Sequence, residues 1–155
     1  MQKEYVDSAS KEIRGFSKKS GYEFLSNFYA ATVAFEGSLY PSVEHAYQAA
    51  KSLDVDTRKI IKRAMTSGEA KRLGRAIVVR PDWIDVRLDI MRNLIREKFE
   101  NPFLRFRLKD TYGYKIINES RYDKFWGIVG GEGENWLGRI IEEVREKIIA
   151  DDELT

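Results

Sequence analysis

The sequence predicts an α+β fold, a single mostly helical domain with a few short strands. Three observations carry this. Apolar residues recur at helical spacing through several long segments, the pattern of half-buried helices. Alternating stretches are few and short. No repeat, low-complexity tract or linker divides the 155 residues, a length that suits one domain with a real core. That core is expected over about residues 13–149, with frayed ends from Met1 to about Ser10 and at Asp151-Asp152-Glu153.

The elements follow in order. Ile13 to Phe16 reads as a short strand, and Ser17-Lys18-Lys19-Ser20-Gly21 as a polar loop. Thr32 to Phe35 alternates, Glu36-Gly37-Ser38 turns, and Leu39-Tyr40 returns, which predicts a hairpin. Ser42 is a good N-cap for a helix to about Leu53. Val43, Ala46, Tyr47 and Ala50 make its buried face. Glu44 falls in the first turn, where the helix dipole favours a carboxylate and weakens its tendency to take a proton.

A second helix is expected from Asp56 or Thr57 to about Ala64, and a short one capped by Ser67 and stopped by Gly74. Ile77-Val78-Val79 is a brief apolar run before Arg80-Pro81. The longest helix is expected from about Asp82 to Phe99. Trp83, Val86, Ile90, Leu94 and the Lys98 stem line one face of it, widened by Leu88, Met91 and Ile95. Asn101-Pro102 caps a further helix to about Lys109, with proline at its first position. Tyr114 to Glu119 alternates like a strand. The last helix is expected from about Asn135 to Ile149, burying Leu137, Ile140, Ile141, Val144 and Ile148.

Composition narrows the function. Lys plus Arg is 27 against 25 Asp plus Glu, a net charge of +2 that does not indicate bulk nucleic-acid binding. With no cysteine and one histidine, disulfides, thiolate-held metals and multi-histidine metal sites are excluded, and no cofactor is expected. No apolar run reaches membrane-spanning length, and Met1-Gln2-Lys3-Glu4-Tyr5 lacks an apolar signal core, so a cytoplasmic chain with no membrane partner is the default.

Aromatics make up 12% of the chain, and many stand beside Asn, Asp, Glu or Gly, a setting that suits a wet pocket as well as a core. Glu44-His45 is one candidate: a carboxylate at a helix start could bind a ribose hydroxyl or activate water, or simply serve its own helix. His45 reads as structural. Tyr122-Asp123-Lys124-Phe125-Trp126-Gly127 is another. An Asp beside a Trp suits cleavage of a C–N glycosidic bond, the carboxylate stabilising charge at the anomeric carbon while the ring stacks on the base. A turn Asp with a core Trp has the same pattern. Gly130-Gly131-Glu132-Gly133-Glu134-Asn135 reads as a mobile turn with Asn135 as helix cap; its glycines fit neither the dinucleotide nor the P-loop spacing. Lys18, Lys19, Lys51 and Lys98 are candidates for a phosphate ligand or a Schiff-base amine, against a solvated-surface reading for each.

At these residues the sequence resembles the YbiA-like family, also called NADAR (NAD- and ADP-ribose-associated). The likeness is carried by Phe24 to Tyr29, Tyr40 to Lys51, Arg80-Pro81-Asp82-Trp83, Met91 to Phe99, Tyr122 to Gly127, and Gly131 to Gly138 leading to Arg145. It runs from about Ile13 to Lys147. The resemblance implies a mostly helical α+β domain without a metal, and N-glycosidase activity. Some members split riboflavin-pathway intermediates, releasing ribose 5-phosphate; others remove ADP-ribose from guanine in nucleic acid. The family's functional glutamate, tryptophan and aspartate fall on Glu44, Trp83 and Asp123. Ser26, Asn27, Phe28, Tyr47, Trp126, Gly127, Asn135 and Gly138 are the expected substrate-binding residues. Lys18-Lys19 resembles the lysine-bearing loop of the ADP-ribose-removing branch, while the link Ile128 to Glu134 is shorter than in many members.

The expected activity is therefore hydrolysis of the bond between a (phospho)ribosyl group and a nucleobase-like heterocycle. ADP-ribosylated guanine, with modified DNA as a partner, stands first among substrates. Riboflavin intermediates are the alternative, a non-catalytic ADP-ribose or NAD-binding module is the second class, and a partner-binding helical domain the third.

Overall fold

The computed structural model describes residues 5–155. In chain order the elements are β1 (Tyr5–Asp7), β2 (Glu12–Arg14), a 3-10 turn (Glu23–Leu25), β3 (Val33–Phe35), β4 (Ser38–Tyr40), α1 (Val43–Ala50), α2 (Val55–Lys62), α3 (Ser67–Gly74), α4 (Trp83–Lys98), α5 (Pro102–Lys109), β5 (Lys115–Ile117) and α6 (Trp136–Glu153). The α+β expectation holds. The chain resolves into two compact units, one formed by the described residues up to Ser26 with Asn101–Thr155, the other by Asn27–Glu100.

In the first unit β2 pairs antiparallel with β1 and parallel with β5. Ile13 and Ile116 sit opposite each other and are fully buried. The expected fraying to Ser10 does not hold from Tyr5 onward, because β1 is a paired strand; Met1 to Glu4 lie outside the described residues. β2 ends before Phe16 because Gly15 takes a positive φ of 79°. Helix α6 packs on β5 and α5, with Leu137, Ile140, Ile141, Val144 and Ile148 buried. It is longer than expected and, at 18 residues against 16, exceeds α4. The acidic end is not frayed: Asp152 pairs with Arg105 and Lys109, each at 2.6 Å. Asn101 caps α5 by accepting from the Phe103 and Leu104 amides at 3.0 and 3.1 Å.

The second unit holds the β3–β4 hairpin and helices α1 to α4. Glu36 and Gly37 both have positive φ, 45° and 83°, the backbone of a tight two-residue turn matched to strand twist. Glycine accepts that conformation at no steric cost. Asp54 caps α2 through the Thr57 amide at 2.9 Å, so this helix starts earlier than expected. Thr66, not Ser67, caps α3. Gly74 is its last residue, where a Cβ would collide with the Gln48 side chain. The buried stripe of α4 is Trp83, Ile90, Met91, Leu94, Ile95 and Lys98, with Val86 and Leu88 half-buried.

Helix α1 departs most from expectation. Every one of its eight residues is buried, Glu44, His45 and Gln48 included. A polar group in that position costs stability unless it is hydrogen-bonded. His45 shows how the cost is met. Its Nε2 lies 3.0 Å from Ala64 O, which can only accept, so Nε2 donates. Nδ1 then accepts from the Ser42 hydroxyl at 2.7 Å, while Ser42 Oγ also caps the helix through the His45 amide at 3.1 Å.

Candidate active site

Helical spacing sets Glu44, Tyr47, Gln48 and Lys51 along one stripe of α1. Glu44 is held at both its backbone and its side chain. Its amide donates to Asn27 O at 3.0 Å. Its Oε1 accepts from Gln48 Nε2 at 2.8 Å. Oε2 accepts no hydrogen bond among the described residues. The residue keeps 7% of its surface exposed.

The electrostatics of Glu44 reverse the sequence expectation. Burial pushes its carboxyl above the ordinary range, against the Gln48 hydrogen bond and the charges of Lys71 and Lys51, which pull it down. Desolvation disfavours the charged form, and here it outweighs the dipole of the helix start. The result is a carboxyl poised to exchange a proton.

Gln48 is fixed from its far side. Its Oε1 is buried without a hydrogen bond and is pressed against Gly74, where any larger residue would displace it. The amide nitrogen is thereby turned toward Glu44.

Rings gather in the same unit. Tyr47 and Trp83 meet with centroids 5.1 Å apart, tilted at 53°. Phe28 is 45% exposed, with Lys71 Nζ 5.7 Å from its centroid. Lys51 Nζ stands 5.7 Å from the Tyr47 ring. Burial and the neighbouring Lys71 charge hold the Lys51 amine below its ordinary value, against the pull of Glu44. The Asn27 side chain reaches Met91 Sδ at 3.6 Å through Nδ2, and its Oδ1 is buried without a hydrogen bond. Lys98 is 1% exposed beneath the Tyr29 and Phe99 rings, at 5.7 and 5.4 Å, and burial pushes its amine down to about 7.

The remaining expected residues belong to the other unit. Asp123 is exposed, and its Oδ1 accepts from the Phe125 and Trp126 amides at 2.9 and 2.8 Å, an Asx turn. Trp126 is half-buried and edge-on to Phe125, with centroids 4.8 Å apart. Asn135 is not the side-chain cap expected. Its Oδ1 accepts from the Asn118 amide and its Nδ2 donates to Ile116 O, both at 2.9 Å. Gly127 and Gly138 are close-packing positions: an added Cβ would lie 2.5 Å from Asn118 O in the first case and collide with Ile116 O in the second. The glycine-rich turn is tied down rather than loose. Glu134, Asn135, Trp136 and Leu137 donate their amides to the carbonyls of Lys124, Gly127, Phe125 and Trp126. Ser26 is half-buried at the end of the 3-10 turn. Lys18 and Lys19 are exposed in their turn.

Three residues escaped the sequence reading. Gln48 was legible as the i+4 partner of Glu44. Gly74 read as a helix stop, and its close approach to Gln48 has no local signal. Lys71 sits on a short polar helix that nothing in the sequence links to Glu44.

Comparisons with known proteins agree with this architecture. A model of the NADAR domain matches residues 15–149. A riboflavin biosynthesis protein of Vibrio vulnificus is 39% identical over 137 residues, 86% of this chain but only 37% of that protein's length. The N-glycosidase YbiA of Escherichia coli is 35% identical over 140 residues, 88% of each chain. The solution structure of E. coli YbiA superposes with a TM-score of 0.82 at 34% identity, covering 97% of this chain and 91% of that one. No helix among the described residues is long and apolar enough to cross a membrane.

Proposed function

We propose that this chain, which belongs to the NADAR domain family, hydrolyses the N-glycosidic bond between a ribosyl group and a nucleobase-like heterocycle, with Glu44 as the proton-accepting group. One observation carries the reading. Glu44 is a buried carboxyl, raised in proton affinity by desolvation, fixed through one oxygen by Gln48 and open at the other. A group so tuned titrates closer to neutrality than an exposed glutamate, which is what a general base at ordinary pH needs.

The chemistry balances as a hydrolysis. The C–N bond breaks with its electron pair going to the heterocycle nitrogen, and positive charge develops at the anomeric carbon. Water adds there and gives a proton to Glu44 Oε2, which passes it on through solvent as the leaving nitrogen takes up a proton. Free sugar and free heterocycle result. Phe28 offers an exposed face on which a flat heterocycle can stack, and Tyr47, one turn along α1 from Glu44, meets the Trp83 ring.

Two substrate classes follow. The riboflavin-intermediate reading is supported by the name of the Vibrio relative. The ADP-ribosyl-guanine reading is supported by the likeness of the Lys18-Lys19 loop to the branch that removes ADP-ribose. Product analysis by mass spectrometry on both substrate types separates them. Release of free heterocycle and sugar by the wild type, abolished in Glu44→Gln, is the expected result. Binding of ADP-ribose or NAD without hydrolysis of any N-riboside would make the chain a non-catalytic module instead.

A further inference from the structure

We propose that Lys51 and Lys71 form an anion subsite beside Glu44 that receives a phosphate carried by the ribosyl group of the ligand. That this ligand is a substrate rests on the glycosidase reading; the subsite itself does not.

The two lysines come from different helices. Lys51 follows the last turn of α1, one turn beyond Tyr47 and two beyond Glu44. Lys71 lies one turn along α3 from Ser67. That serine ties α3 to the start of α1, its hydroxyl standing 2.9 Å from both Phe28 O and Ser42 Oγ with one proton to share between them. The tie brings Lys71 over the Phe28 ring, within electrostatic reach of both Glu44 and Lys51.

Neither ammonium makes a hydrogen bond or ion pair among the described residues. Lys109, Lys124 and Lys147, by contrast, each pair with a carboxylate; what sets Lys51 and Lys71 apart is that they face each other across α1 and α3. Two cations that repel each other, one of them half-buried, are not an arrangement that folding selects for stability. Glu44 offsets one of them, and only while it is ionised. An anion between them removes the repulsion and supplies acceptors for both. A phosphate suits best, since it carries up to two charges and several oxygens that separate lysines can meet as point charges. Phe28 beside Lys71 and Tyr47 beside Lys51 give the same ligand flat surfaces to lie against.

Calorimetric titration with ribose, ribose 5-phosphate and ADP-ribose tests this. The wild type is expected to bind ribose 5-phosphate on the order of ten-fold more tightly than ribose. Lys51→Gln and Lys71→Gln should each erase most of that preference while ribose binding stays unchanged, and Lys71→Arg should restore it. Glu44→Gln should keep or widen it, because a negative charge beside the phosphate is gone. ADP-ribose separates the sources of phosphate: tighter binding than ribose 5-phosphate assigns a diphosphate, weaker binding a terminal monoester. A wild type without preference, or a preference that survives both lysine variants, overturns the proposal. A lysine-dependent preference in a chain that hydrolyses no N-riboside would uphold the subsite and discard the glycosidase reading. Turnover lost in Glu44→Gln with no lysine-dependent preference would do the reverse.

Discussion

The two units differ in the buried polar groups they hold. In the unit of residues 27–100, Glu44 and Lys98 are buried and both are displaced from their ordinary titration by desolvation. In the other unit, Arg145 is 4% exposed and its guanidinium donates to Thr111 O and Tyr114 O at 2.9 and 2.7 Å. Asn135, 5% exposed, spends both ends of its amide on β5 and the residue after it. Saturated groups of this kind hold a fold together. Desolvated groups near their neutral form hold a capacity for proton exchange, so the unit of residues 27–100 is the one whose polar interior stability alone does not explain.

The largest effect expected is at Glu44. Glu44→Gln should lower turnover by about 10²- to 10⁴-fold with little loss of folding, since glutamine is isosteric. Steady-state kinetics beside a thermal melt checks it; a loss under ten-fold would break the contrast. The pH profile sharpens the point. Activity that needs ionised Glu44 rises with pH through its pKa, and burial sets that rise above the usual carboxylate range. Gln48→Leu removes a hydrogen bond that favours the ionised form, so its acid limb should move to still higher pH.

Lys98 probes the same unit through stability. Its amine titrates at about 7 in the folded chain against an ordinary 10.5. Between those values the unfolded chain holds more protons, so this lysine makes stability rise with pH. From pH 6.5 to 9.5 the expected rise is about 3 kcal/mol, and Lys98→Met should lack it. Urea unfolding of both proteins at the two pH values measures the difference. Parallel pH dependences would mean that Lys98 stays charged in its site.

Gly74→Ala tests the rear support of Gln48. The new methyl must displace the Gln48 amide, at about 1–3 kcal/mol of stability. If Gln48 positions Glu44, the acid limb of the rate profile moves up as in Gln48→Leu. A destabilised variant with an unmoved profile would reduce Gly74 to packing alone.

Much of this was legible in the sequence because its signals are local. Ser42 capping α1, Asn101-Pro102 opening α5, the Glu36-Gly37 turn and the stripe of α6 each follow from neighbours along the chain. Glu44 stands out in the sequence as a candidate, but its proton affinity runs against the local expectation: the helix dipole acts along the chain, and burial by distant residues does not. Gly74 and Lys71 carry no local signal for the same reason. Their roles arise from α3 lying against α1, which no spacing in the sequence encodes.

Asp123 is the counterpart to Glu44 and the smallest effect expected. Both carboxylates are candidates by residue pattern to act on a glycosidic bond, yet Asp123 is exposed and its Oδ1 closes its own turn. Asparagine keeps an oxygen that can accept from the same two amides, so Asp123→Asn should hold activity within a few-fold. Asp123→Ala loses the turn at about 1 kcal/mol. A hundred-fold loss of turnover in Asp123→Asn, with an unchanged melting temperature, would give the free Oδ2 a charge-stabilising duty beyond the turn. The contrast would then lie in how each carboxylate is held, since both would serve the reaction.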